Sequence, residues 1–320
     1  MESALFEDEK FGPDYFLPTD AYLETCAAVG AGFFSQRMNQ LTCNARYMDE
    51  VERVLYNNVL TGVSLSGDKY TYQNPLNTDK PDRWEWHVCP CCPPMFLKIM
   101  AAMPGYIYAY QGDNVYVNLF IGSEVRVPVG KSNSVRLKQL TSYPWHGAVS
   151  IQVNPDKAST FSMKVRIPGW AQGTENPYDL YQSNLKAPVK LKVNQEDVLL
   201  RIVDGYAEIN REWKKGDHIE LELPMQPRLI TANKAVENLR GQVALASGPI
   251  IYCFEDADNP ELQTFKLQAQ TPLELSHDSN LLNGVNIIKC QGDIPAKAIP
   301  YYAVANREES HSYKVWIPQK

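Results

Sequence analysis

The sequence predicts a multidomain α+β chain in which a helical segment is followed by antiparallel β-sandwiches. Two observations carry this. Apolar residues recur at helical spacing through about the first hundred positions, and the period then changes to two, with turns bearing proline or glycine between short strand-like runs. A length of 320 residues with 44% hydrophobic and 21% charged residues suits two or three packed domains.

The elements follow in order. Ala27 to about Met38 is apolar, with Gly30 and Gly32 at positions suited to close helix packing. Residues 44–60 place Met48, Val51, Leu55 and Val59 along one stripe, and Asn44 can cap that helix. Pro93-Pro94 starts a third helix through Met103, and Gly105 ends it. Residues 106–110 and 115–121 read as a hairpin around Gln111-Gly112-Asp113-Asn114. Strand-like runs follow at 161–167, 190–193, 198–202, 218–223, 242–246, 250–254 and 313–317, a spacing that argues sandwiches. With a boundary at Pro224-Met225-Gln226-Pro227, the expected division is 1–104, 105–225 and 226–320.

Composition excludes several function classes. No run of about 18 apolar residues could span a bilayer, so no membrane partner is expected. Net charge is −6 and no lysine/arginine block is present, which leaves a nucleic acid nothing to bind. The acidic stretch Met1–Lys10 lacks a secretory signal pattern, and the expected location is cytoplasmic. Seven cysteines, three of them within four positions, do not read as a disulfide framework. Cys43, Cys253 and Cys290 are isolated and are expected to be plain buried cysteines.

The chemistry concentrates in Glu24-Thr25-Cys26 and Cys89-Pro90-Cys91-Cys92-Pro93-Pro94. Thiolates and a carboxylate can close a tetrahedral zinc shell, and a sulfur can also act as a nucleophile. Residues two apart on a helix face different ways, so Glu24 and Cys26 can share an ion only from a turn or a helix start. Pro93-Pro94 puts Cys91 and Cys92 just before a helix, and two positive helix ends aimed at one cluster favour ionised thiols. The spacing leaves three readings open: a metal or catalytic site, a thiol redox pair, or inert buried cysteines. His87 is two residues from Cys89; the other histidines are scattered. No phosphate loop, Gly-x-Ser-x-Gly elbow or dinucleotide fingerprint is present.

Glu9-Lys10-Phe11-Gly12, Tyr15-Phe16-Leu17-Pro18, residues 21–27 with Glu24-Thr25-Cys26, Glu52-Arg53-Val54-Leu55-Tyr56-Asn57, Tyr72-Gln73-Asn74-Pro75-Leu76 and Cys91-Cys92-Pro93-Pro94 together resemble the β-L-arabinofuranosidases of glycoside hydrolase family 127 and relatives such as family 146. Arg166-Ile167-Pro168-Gly169-Trp170 and residues 248–253 extend the resemblance over nearly the whole chain. It implies an (α/α)6 barrel carrying the active site, followed by β-sandwiches, with residues 1–104 the C-terminal part of that barrel. It implies that Glu24, Cys26, Cys91 and Cys92 hold Zn2+, that Cys91 is the nucleophile and Glu9 the general acid/base, and that Glu52 and Tyr72 line the sugar pocket. The implied reaction is retaining hydrolysis of an arabinofuranose-containing carbohydrate.

Each role has a plainer competitor. Glu9 sits in an acidic terminal stretch where a solvated carboxylate is usual. Glu52 shares a helix face with Met48 and Leu55, so an ion pair with an arginine would equally explain its burial. Tyr72 could be core, and Cys89 a bystander. Such a barrel needs about twelve helices, whereas about three precede Gly105. The expectation is a C-terminal portion of a longer enzyme or a degenerate product, completed by a missing N-terminal helical half or a homodimer partner. A non-catalytic remnant whose sandwiches bind carbohydrate is the alternative from another class. Exposure of Trp145 and Trp170 would favour sugar binding, and burial of both a structural role.

Overall fold

A computed structural model describes residues 12–86, 88–89, 91–176, 179–292 and 294–320. Three α-helices lie among them: α1, Thr25–Thr42; α2, Arg46–Val54, which continues as a π-helical turn, Leu55–Val59; and α3, Cys92–Ala102. The expected stripe is buried, with Met48, Val51, Leu55 and Val59 packed on Val29 and Ile99 in one core. Asn44 Oδ1 accepts the backbone N–H of Arg46 at 3.1 Å, so it satisfies a free donor at the start of α2 although Ala45 is the N-cap residue. Gly32 marks the crossing of the helices, since a Cβ there would sit 3.2 Å from Ile99 Cδ1 and Val54 Cγ2. Gly30, expected at a close-packing position, instead faces open space.

The inner face of α1 is mixed, with Val29 in the helical core and polar residues beside it. Its buried face carries Ser35, Gln36 and Asn39, whereas Phe34 (55% exposed) and Leu41 (80%) point outward. Asn39 is buried because it is partnered: its Nδ2 donates to Tyr206 Oη at 2.9 Å, and that hydroxyl donates to Asn118 Oδ1 at 2.7 Å. On the neighbouring α3, Leu97 (61%) and Met100 (38%) are exposed as well.

The chain then builds two sheets facing one core. One has six strands in the order Glu196–Asp197, Lys190–Val193, Asp217–Glu222, Ala148–Pro155, Asn133–Thr141, Ser123–Val129, all antiparallel. The other has five: Ile202–Val203, Tyr206–Trp213, Ser159–Arg166, Asn114–Val117, Tyr108–Gln111, with a single parallel pair between Ser159–Arg166 and Asn114–Val117. Alternation produces the sandwich. In Asn133–Thr141, Val135, Leu137 and Gln139 point inward and Arg136, Lys138 and Leu140 outward. The expected hairpin closes with Gln111 opposite Asn114, and Gly112 supplies the positive φ (58°) its tight turn needs.

A ten-stranded assembly closes the chain, built on Gln242–Ser247, Ile250–Glu255, Ala296–Pro300 and Val285–Cys290, with an apolar core on each side. Two strands arrive from outside residues 226–320: Tyr181–Ser183 pairs with Arg228–Ala232, and Asn77–Thr78 pairs with Tyr313–Lys314. The run 313–317 is two short strands, Tyr313–Lys314 and Ile317–Pro318, rather than one. Residues 198–201 form no strand, and the long strands Asn133–Thr141, Ala148–Pro155 and Tyr206–Trp213 have no counterpart among the expected runs. Cys253 and Cys290 are buried; Cys43 is instead half-exposed, capping α1 in the left-handed conformation (φ 51°). No described helix is long and apolar enough to cross a membrane.

Buried ion pairs join these parts. Arg166, fully buried, donates from Nη1 to Asp49 at 2.6 Å and grips Glu52, clamping α2 to the five-stranded sheet. Arg228 holds Glu175 through two bonds of 2.6 and 2.8 Å and lies over the Trp170 ring.

Candidate functional site

Glu24 is the N-cap of α1, in extended conformation (φ −74°, ψ 138°), and its side chain makes no capping bond to the helix. Cys26 is the second residue of that helix. This is the geometry that lets two residues of an i, i+2 pair face one point. Cys91 is the N-cap of α3 and Cys92 its first residue, with proline in the first turn. Four potential ligand atoms from segments some 65 residues apart thus converge, all within 4.8 Å of one another.

Cys91 Sγ donates to Glu24 Oε1 at 3.4 Å, Cys26 Sγ and Cys92 Sγ are 3.4 Å apart, and Cys91 Sγ and Cys92 Sγ 3.7 Å. A regular tetrahedron with metal–sulfur bonds of about 2.3 Å has edges of about 3.8 Å, so the donor set and these sulfur spacings could hold a four-coordinate metal ion. Burial pushes all three thiols upward, Cys92 to about 12, and Cys26 is raised further by its hydrogen bond with Cys92. Neutral thiols of this kind are inert, and a bound cation reverses that order.

The scaffold behind the ligands is hydrogen-bonded. Residues 23–25 run beside 72–74: Thr25 N donates to Tyr72 O at 3.0 Å and Asn74 N to Leu23 O at 2.8 Å. Asn74, fully buried, donates from Nδ2 to both Leu23 O and Thr25 Oγ1, and Thr25 Oγ1 donates to Thr71 O at 2.7 Å. The Glu24 carboxylate accepts from Tyr22 at 3.5 Å through its other oxygen. Tyr72 stacks on Trp84 (centroids 4.8 Å apart, rings 5° from parallel) and meets the edge of Tyr22. A hydrogen bond with Tyr22, then burial, then the charge of Glu24 raise its phenol above the usual value. Sequence reasoning missed Tyr22, Tyr70, Thr25 and Asn74. Of these, Tyr22 and Thr25 lie in the 21–27 stretch and Asn74 in the Tyr72–Leu76 stretch, where a polar residue before proline was the available signal; Tyr70 lies in neither.

The other expected residues fall as follows. Glu9 lies outside the described residues, as does His87. Glu52 is 1% exposed, and its carboxylate accepts from Arg166 Nη1 and Nη2, from Tyr143 Oη at 2.8 Å and from Trp170 Nε1 at 3.3 Å. Four protein donors occupy its roughly four acceptor sites, so the ion-pair account covers all of its bonding capacity. Cys89 Sγ is 3.7 Å from Cys91 Sγ and adds a third sulfur on that side. A cavity of about 140 Å³ opens where α1, α2 and the strand regions meet, lined among others by Glu24, Glu52, Trp170, Arg228 and Trp316. The cysteines and Tyr72 are not among its walls. Trp170 is 6% exposed and Trp145 half-buried, so neither is a free aromatic surface.

Comparison with known proteins agrees along the whole chain. Residues 3–105 match the β-L-arabinofuranosidase GH127 catalytic domain, 114–225 the GH127 middle domain, and 227–318 the glycoside hydrolase family 127 C-terminal domain. A non-reducing end β-L-arabinofuranosidase of Bifidobacterium longum subsp. longum is 31% identical over 94% of this chain and 50% of its own length. Among solved structures, a GH127 β-arabinofuranosidase is 36% identical with a TM-score of 0.92, covering 99% of this chain and 53% of that one. A GH127 β-L-arabinofuranosidase from Geobacillus stearothermophilus T6 is 35% identical with a TM-score of 0.88, covering 98% and 52%. The chain therefore spans about half the length of the relatives it matches.

Proposed function

Since this chain belongs to glycoside hydrolase family 127, carrying its catalytic, middle and C-terminal domain types in succession, we propose that it serves in a retaining hydrolase that releases β-L-arabinofuranose. The observation that carries this reading is the convergence of Glu24, Cys26, Cys91 and Cys92, three sulfurs and a carboxylate within 4.8 Å of one another. These four would hold Zn2+. When bound, the ion supplies positive charge that keeps the thiols ionised and makes sulfur a better leaving group.

Cys91 is the proposed nucleophile, and its exposure supports the choice over its neighbour: Cys91 is half-buried and Cys92 only 1% exposed. The Cys91 thiolate attacks the anomeric carbon; an S–C bond forms and the bond to the aglycone oxygen breaks as Glu9 hands that oxygen its proton. Glu9 then takes a proton from water, the resulting hydroxide displaces sulfur at the same carbon, and the thiolate returns. The role of Glu9 rests on the family match; its carboxyl would stand about 5–5.5 Å from Cys91 Sγ by analogy with retaining carboxylate pairs. Tyr72, beside Glu24 and stacked on Trp84, is the sugar contact we assign. Glu52 forms cavity wall, and its direct contact with sugar would require it to exchange one of its present donors. Seven free thiols accord with a reducing compartment such as the cytoplasm.

Residues 1–104 are proposed as part of an (α/α)6 barrel, with 105–225 and 226–320 as the β domains. The outward apolar faces of α1 and α3 support this, because further barrel helices would cover them. The test joins zinc analysis with assay on aryl β-L-arabinofuranosides. In the complete enzyme Cys91→Ser should abolish turnover, and a cysteine-directed arabinofuranose mimic should label Cys91; labelling of Cys92 or Cys89 instead would refute the assignment.

A further inference from the structure

We propose that Tyr70 is a positioning residue for the thiol cluster, its hydroxyl fixing the backbone two residues before Cys91 so that Cys91 and Cys92 meet Glu24 and Cys26; this rests on the reading of that cluster as a zinc site. Tyr70 is fully buried, and its hydroxyl engages both polar backbone groups of one residue: it donates to Cys89 O at 2.9 Å and accepts from Cys89 N at 3.0 Å. Only a group that donates and accepts at one atom can do this, and phenylalanine can do neither. The ring itself has little freedom. It belongs to the short strand Lys69–Tyr70, opposite Trp84, and packs against the rings of Trp84 (6.1 Å) and Trp86 (6.0 Å).

The consequence runs through the chain. Cys91 and Cys92 are held on their far side by the proline-started first turn of α3. On the near side Tyr70 holds Cys89, so the two ligand cysteines are fixed from both directions. Trp84 also stacks on Tyr72, which meets Tyr22, which reaches Glu24. One run of aromatic rings therefore sets the two ligand-bearing segments against each other. Groups that orient metal ligands from behind typically contribute 10–100-fold to metal affinity.

The experiment is a titration of the metal-free full chain with cobalt(II), whose thiolate charge-transfer absorption reports binding through sulfur. Tyr70→Phe should bind cobalt about 10–100-fold more weakly than wild type while retaining its unfolding cooperativity. Tyr206→Phe is the control. It loses a buried hydroxyl that bonds Asn39, about 20 Å along α1 from Cys26, and should bind as wild type does. If wild type takes up no cobalt through sulfur, the zinc reading fails. Tyr70 is then judged on metal-free protein, in which iodoacetamide should modify Cys91 faster in Tyr70→Phe than in wild type. Should the variant not fold, amide exchange on wild type decides, with the Cys89 N–H expected to be protected. Equal cobalt affinities, equal alkylation rates or rapid exchange of that amide each overturn the proposal.

Discussion

Arg166 faces two carboxylates with one guanidinium, and the imbalance has measurable effects. Replacing it, as in Arg166→Met, leaves the buried Glu52 and the half-buried Asp49 without their cation, which should cost about 3–5 kcal/mol in denaturant unfolding at neutral pH. Burial lifts Asp49 from 3.8 to about 6, with Arg166 pulling it down and Glu52 pushing it up. Because the folded value is raised, the folded state holds this proton more tightly. The stabilisation is complete below about pH 3.8 and is lost as pH rises through about 6. Wild type should therefore lose about 2 kcal/mol relative to Asp49→Asn between pH 4 and pH 7; parallel stability curves would show that Asp49 ionises normally. Residue identity made the cluster of Glu24 and the cysteines visible in the sequence, because cysteines are few and three of them fall within four positions. The fourfold engagement of Glu52 was not visible, since its partners Tyr143, Arg166 and Trp170 lie 91 to 118 positions away.

Among the elements, α1 depends on a side chain outside it. Asn74→Ala removes the amide that ties Leu23 and Thr25 together and should destabilise the chain by about 1–3 kcal/mol. It should also raise the rate at which a chelator strips metal, because Glu24 lies between the two residues tied; unchanged stripping would separate the brace from the ligands. Helix existence was legible from periodicity, and the stripe of α2 was read residue by residue. The sidedness of α1 was not, since a polar face that finds partners can be the inner one. The strands Asn133–Thr141 and Ala148–Pro155 escaped because polar residues alternate through them, and in a sandwich with one wet face that alternation is the strand signal itself.

At the scale of the whole molecule, Phe34 and Leu41 on α1 and Leu97 and Met100 on α3 point apolar side chains outward. The chain alone should hydrolyse β-L-arabinofuranosides poorly. Supplying the helical half of a full-length relative that lies outside the match should restore turnover, whereas Phe34→Glu with Leu97→Glu should prevent that rescue. A normal turnover rate for the chain alone would mean that the site is self-contained. The order of helices before strands was legible from the change of period, but the threading of segments between them was not, because register between distant strands leaves no local mark. Asn77–Thr78, on the site-bearing segment, pairs with Tyr313–Lys314, and Asn77 Oδ1 accepts the N–H groups of Val315 and Trp316. These partners are 238 and 239 positions apart. During synthesis the nascent chain emerges from its N-terminus, so the segment holding Glu24 and the cysteines has only its local braces until residues 313–316 have been made. A chain that stops before Tyr313 keeps every residue of the cluster and loses the latch.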